Sequence, residues 1–128
     1  MTYTFNRLLT GVSFAEADAR TRKALGDSGF GILTEIDVAA TMKKKLDVAM
    51  TPYLILGACN PKMAYQAIGI EPRVGAMLPC NVILRAVDGG VEVSAIDPVA
   101  SMQAIDNPAL HALAEHVREL LAQAVAAI

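Results

Sequence analysis

The chain has 128 residues, 54 % of them apolar and 19 % charged, with a formal net charge of −2. That length is one domain, residues 1–128, able to bury roughly two-thirds of its unfolded surface, so folding needs neither a disulfide nor a metal. The acidic balance excludes sequence-independent nucleic-acid binding, which needs a basic surface to displace counterions, and no run approaches the ~18 apolar residues of a membrane span.

Tyr3, Phe5, Arg7 and Leu9 alternate with Thr4, Asn6, Leu8 and Thr10, a two-residue period that predicts a first strand over residues 3–10. The opening MTYTFNRLL has no basic start, apolar core or small-residue cleavage site, so no signal peptide and a cytoplasmic location are expected. Ser13 and Glu16 form a capping box with Val12 placed to staple onto Ala17. The helix that follows runs to Leu25, with Gly26 as its left-handed cap.

Phe30 to Asp37 reads as a second strand, with Phe30, Ile32, Thr34 and Ile36 on one face. Asp37 caps a short helix over Val38–Leu46, whose apolar stripe is Val38, Met42 and Leu46. Lys43, Lys44 and Lys45 lie mostly off that stripe and read as a solvated face, too short a run to make the chain basic. Tyr53 to Ala58 is nearly continuous apolar, which suits a strand covered on both faces in the sheet interior.

Asn60 caps the next helix and Pro61 takes its first position, with the helix ending near Ile68. A loop follows Glu71-Pro72. Cys80 to Val87 is a strand, Asp88-Gly89-Gly90 a hairpin signal, and Val91 to Ile96 the antiparallel return. A helical turn is expected over Val99–Met102. Asn107-Pro108 opens a terminal amphipathic helix of about 20 residues, in which Leu110, Leu113, Ala114, Val117, Leu121, Ala124 and Val125 share one broad face. The pattern is α/β (α+β): a two-layer arrangement with a mixed sheet of about five strands packed against helices.

Candidate chemistry concentrates between Tyr53 and Asn81, which holds both cysteines and a Cys-Asn element at each end. Cys59 immediately precedes a helix N-terminus, where a thiol pKa is lowered and Lys62 is near enough to assist. The same geometry binds an anion without chemistry at the sulfur, and the plainest reading of Cys59 is an inert, small, buried strand residue. Cys80 is 21 positions further on, so the two are no Cys-x-x-Cys pair, yet neighbouring strands would bring them together. Glu71 is a candidate acid or base, Arg73 a candidate anion clamp and Asn81 a candidate hydrogen-bonding partner. Each also reads as an ordinary loop or cap residue.

A metal is not expected. Two cysteines need two more ligands, and His111 and His116 lie about 140° apart around the terminal helix. The six methionines are scattered as core filler. No nucleophile triad, phosphate-binding glycine loop or acidic metal cluster occurs, and no cofactor is expected.

Gly57-Ala58-Cys59-Asn60-Pro61, Ala64, Ala67, Glu71-Pro72 and Leu78-Pro79-Cys80-Asn81-Val82 resemble the bacterial and archaeal family known as domain of unknown function 302. Phe30 to Ile36 and the late Asp97-Pro98 resemble that family's pattern too, and the likeness spans nearly the whole chain. It implies a small two-layer α/β fold with helices against a mixed sheet, and a homodimer. It implies no activity, and marks Cys59, Pro61, Pro79 and Cys80 as a site only.

Three functions remain open from the sequence. One is a dimer binding a small or anionic ligand through Cys59, Asn60, Lys62, Glu71, Arg73, Cys80 and Asn81. The second is a thiol-dependent redox or sulfur-handling protein, with Cys59 as nucleophile and Cys80 as resolving thiol. The third is a protein-interaction module, motivated by the apolar composition and the terminal helix.

Overall fold

The computed structural model describes residues 2–128. Its strands are β1 (Thr4–Leu9), β2 (Gly31–Asp37), β3 (Tyr53–Cys59), β4 (Cys80–Val87) and β5 (Gly90–Ile96). Its helices are α1 (Phe14–Asp27), α2 (Val38–Leu46), α3 (Pro61–Ile70), α4 (Pro98–Ser101) and α5 (Pro108–Ala126), with a 3₁₀ segment at Pro72–Met77 where a plain loop was expected. The strands form one sheet in the order β1-β5-β4-β3-β2.

The α+β class and the five strands are as the sequence predicts, but the sheet is antiparallel throughout rather than mixed. A helix between two strands fits either a parallel crossover or an antiparallel return. Here α2 returns the chain to the sheet end it left, so Asp37 faces Leu54. The segment through α3 does the same, so Ala58 faces Cys80. Only α1 carries the chain across the sheet, from edge strand β1 to the opposite edge β2.

Helices α1 and α5 cover one sheet face. Leu54, Leu56, Ala58, Val82, Leu84, Val93 and Ala95 from the strands meet Ala17, Leu25, Leu121, Ala124 and Val125 from the helices. β3 is interior, as its apolar run predicts. Only its alternate residues enter this core, while Tyr53 and Ile55 are half-buried on the other face. A smaller cluster of Ala67, Val74, Met102, Leu110 and Ala114 extends the core under α3 and the first half of α5.

β2 does not keep the face expected of it. A register shift between Ile32 and Thr34 puts Ile32 opposite Ala58 but Ile36 opposite Ile55. One extra residue reverses side-chain parity, so Thr34 and Ile36 leave the face that Ile32 shares with the core.

α1 likewise ends later than its glycine suggested. Ser28 is the cap and Gly29, at φ +90°, takes the left-handed position. The Phe30 N–H donates to Leu25 O and the Gly29 N–H to Gly26 O, the paired bonds of a Schellman motif. Its hydrophobic contact joins Leu25 and Phe30, both buried. Gly26 is thus an ordinary helical residue.

At the other end of the core, Arg7 donates to Ala126 O at 2.7 Å and Arg20 to Ile128 O at 3.1 Å, satisfying carbonyls left open where α5 stops. Asp97 accepts from the Val99 N–H and pairs with Arg118, whose guanidinium lies 5.7 Å from the Phe5 ring centre. Among the described residues no helix is long and apolar enough to cross a membrane.

Two glycines give opposite expectations. A methyl group on Gly26 meets nothing within 4 Å, whereas one on Gly90 runs into the Leu9 backbone carbonyl, where β1 passes closely. Gly26→Ala is expected to stabilise by roughly 0.5–1 kcal/mol. Gly90→Ala is expected to cost roughly 2–3 kcal/mol, because backbone on both sides must shift. Urea denaturation of the two variants measures both.

Candidate functional site

The site begins where β3 ends. Asn60 leaves the strand at φ −93°, ψ 107°, and its side-chain oxygen accepts from the Met63 N–H at 3.2 Å. Pro61 at the first helical position has no N–H, and the Ala64 N–H donates to Asn60 O. Of the first turn, only the Lys62 N–H is left without a protein acceptor among the described residues. The end of α3 therefore offers an anion one free backbone donor, much less than an uncapped helix start.

The chain then passes through α3 and the 3₁₀ segment, whose Val74 is fully buried. It returns through a cis Leu78–Pro79 peptide to Cys80, which pairs with Ala58. The Cys59-Asn60-Pro61 and Pro79-Cys80 elements are thereby neighbours, as their positions at strand ends predicted. Gly57 makes the juxtaposition possible: a methyl there would strike the Thr34 side chain and lie 2.7 Å from Pro79 Cγ.

A cavity of about 40 Å³ lies between these elements and α5. Cys59, Asn60, Pro79 and Cys80 form one wall. Met63, Ala64 and Ala67 of α3 form another, and Leu110, Leu113, Ala114 and Val117 of α5 close it from above. Phe30, delivered by the Schellman turn, and Pro98 and Met102 around α4 complete the lining. The cavity sits at the junction of the two hydrophobic clusters. Among its lining side chains Asn60 is the one strong hydrogen-bonding group, and its oxygen is committed to the cap.

Both cysteines are free thiols, Cys80 buried and Cys59 partly so. Burial pushes the Cys59 thiol up from its ordinary value. Burial, and then the neighbouring Cys59, push Cys80 up to about 11. This direction is opposite to the lowered thiol that a helix-end nucleophile requires.

The other sequence candidates lie outside the cavity lining. Lys62 and Arg73 are exposed. Glu71 is half-buried, and its carbonyl accepts from the Val74 N–H. Asn81 is exposed opposite Gly57, because the residue after inward-facing Cys80 must face outward. His116 is exposed as expected, but His111 is half-buried and its Nε2 has no hydrogen-bond partner. Among the described residues no group of three or more His, Cys, Asp or Glu is arranged to hold a metal.

Sequence reasoning overlooked Phe30, Met63, Leu113 and Val117, which line the cavity as plain core-type residues. The available signal was Ala64, Ala67 and Ala114, small residues on two helices, which leave space where Leu would fill it.

Residues 6–128 match the family model described as domain of unknown function DUF302. The chain also resembles the crystal structure of an uncharacterized conserved DUF302 protein from Bacillus stearothermophilus, with 24 % identity, 98 % of each chain covered and a TM-score of 0.90. That likeness shows a shared fold. Comparison with curated proteins finds no match.

The raised Cys80 thiol makes stability pH-dependent in a defined window. Below pH 9 the thiol is protonated folded and unfolded, and its contribution is complete. Between 9 and about 11 only the unfolded state ionises, so stability falls as pH rises. The expected loss is about 2–3 kcal/mol, and urea denaturation of Cys80→Ala should show a shallower alkaline slope than wild type. In native protein, Cys80 should alkylate only on unfolding and Cys59 more slowly than a free thiol at neutral pH.

Proposed function

The chain belongs to the DUF302 family, and from that footing we propose that it binds a small molecule with an apolar body at the corner formed by Cys59, Asn60, Pro61, Pro79 and Cys80. The observation that carries this reading is the cavity at the junction of the two core clusters, walled by apolar side chains from five elements, β3, α3, β4, α4 and α5. The cavity is partly open to solvent and has room for about two or three waters. A typical drug-sized site is ~300 Å³ or more. The ligand is therefore a compact group, or a larger one that moves the half-buried Met63, Leu78 and Leu113 at the cavity edge. The unbranched Met63 is the side chain best able to adjust.

The anionic version of the ligand has less support. One free N–H at Lys62 and an apolar lining give a phosphate or carboxylate little to exchange for its water. The thiols serve this reading as soft, polarisable wall groups rather than as nucleophiles.

Thermal-shift and calorimetric titration with small apolar probes, such as indole and short-chain alcohols, against inorganic phosphate tests the proposal. An apolar probe at about a hundredfold excess over its dissociation constant should stabilise by ~2.7 kcal/mol, while phosphate leaves the melt unchanged. Ala64→Leu, which fills the cavity from the half-buried face of α3, should abolish that shift and leave the fold intact. A probe shift that survives Ala64→Leu, or stabilisation by phosphate alone, rejects this site as an apolar one.

A further inference from the structure

The segment from β2 through α2 to residue 52 is poorly buried in the single chain. β2 is an edge strand with only Ile32 half-buried, and α2 buries none of its nine residues. Isolated helices this short are not stable in water and depend on packing. The segment nevertheless carries Leu33 at 64 %, Ile36 at 48 % and Leu46 at 65 % exposure, with Val48 and Met50 also exposed. A second exposed apolar group, Tyr65, Ile68, Ile70 and Met77, lies along α3 and the 3₁₀ segment but has no acidic groove beside it among the described residues.

The exposed area agrees with a missing partner. The chain exposes 7398 Å², whereas a folded monomer of its mass exposes ~6,500 Å². The surplus, ~900 Å², is close to the ~800 Å² that each partner buries in a standard interface.

Charge identifies the partner. Lys44 and Lys45 at the end of α2 make no ion pair among the described residues. Beside the same helix lies an open groove of about 420 Å³ whose rim includes Asp18, Glu35 and Asp37. Arg22 pairs with two of these carboxylates, so the rim stays net negative. A twofold contact must be self-complementary. This segment is so, since it presents a basic, apolar-tipped helix and an acidic, apolar-floored groove side by side.

We infer that the β2–α2 segment is the surface on which two copies of this chain associate. The basic end of α2 in one copy lies against the acidic groove of the other, with Leu46 in the apolar floor, and the contact is repeated by symmetry. This does not depend on the ligand reading, because the residues involved are separate from the cavity lining.

Sedimentation velocity of the full chain across a wide concentration range tests the inference. A concentration-dependent dimer that weakens as salt rises is expected. Leu46→Asp should raise the dimer dissociation constant at least ~tenfold, and Lys44→Glu should weaken it less. Both sites are exposed in the single chain, so far-ultraviolet circular dichroism should be unchanged. Tyr65→Asp, at 82 % exposure on α3, should leave the dimer intact. A strict monomer, a dimer indifferent to both segment variants, or one dissociated by Tyr65→Asp overturns the assignment.

Discussion

The pairing of Ala58 with Cys80 is the constraint on which the candidate site rests. It forces the intervening residues to leave and re-enter the sheet at the same end. They do so as a capped helix and a 3₁₀ segment held by the buried Val74. α3 then has one place to lie, against the first half of α5, and the cavity is what two alanine-bearing helices and two strand ends leave between them. Gly57 holds the register open at its tightest point. The neighbouring strand's Thr34 and the incoming Pro79 both lean over it, and a side chain there would displace one or the other.

Local chemistry was legible. Ser13, Asp37, Asn60 and Asn107 were each read as helix caps, and each accepts the expected backbone N–H. A cap needs only residues three apart, so nothing distant overrides it. The ends of β4 and of α2 were legible for the same reason, being marked by proline, glycine and aspartate. Strand direction was not, since a helix between two strands fits either a crossover or a return, and pairing decides between them only in three dimensions. Nor was the irregularity near Leu33, where one additional residue in an otherwise regular β-pattern moved Ile36 to the opposite face.

The candidate residues do not all meet at the cavity, and their separation has a geometric cause. Polar residues near the cysteines were chosen by closeness in sequence. Asn81 adjoins Cys80, but strand periodicity sends adjacent side chains to opposite faces. Lys62 adjoins Pro61, but the first turn of α3 points it to solvent. What surrounds the thiols is instead apolar and comes from distant parts of the chain, Phe30 from the α1–β2 turn and Ala114 from α5. The resulting environment raises both thiols, so the feature that suggested nucleophilic chemistry, a cysteine at a helix start, is outweighed by the burial that the same fold imposes.

The cavity and the acidic groove mark opposite ends of β3. Cys59 at one end lines the cavity, and Tyr53 at the other lines the acidic groove. They are the two ends of a seven-residue strand, about 20 Å apart. The two linings share no residue. β3, which joins them directly, is hydrogen-bonded on both sides and pinned at Gly57. A strand so held does not slide by part of a residue, because a slip reverses every buried side chain in it. The high apolar content of the chain is thus divided between an inward cavity lining and exposed side chains such as Leu33 and Leu46.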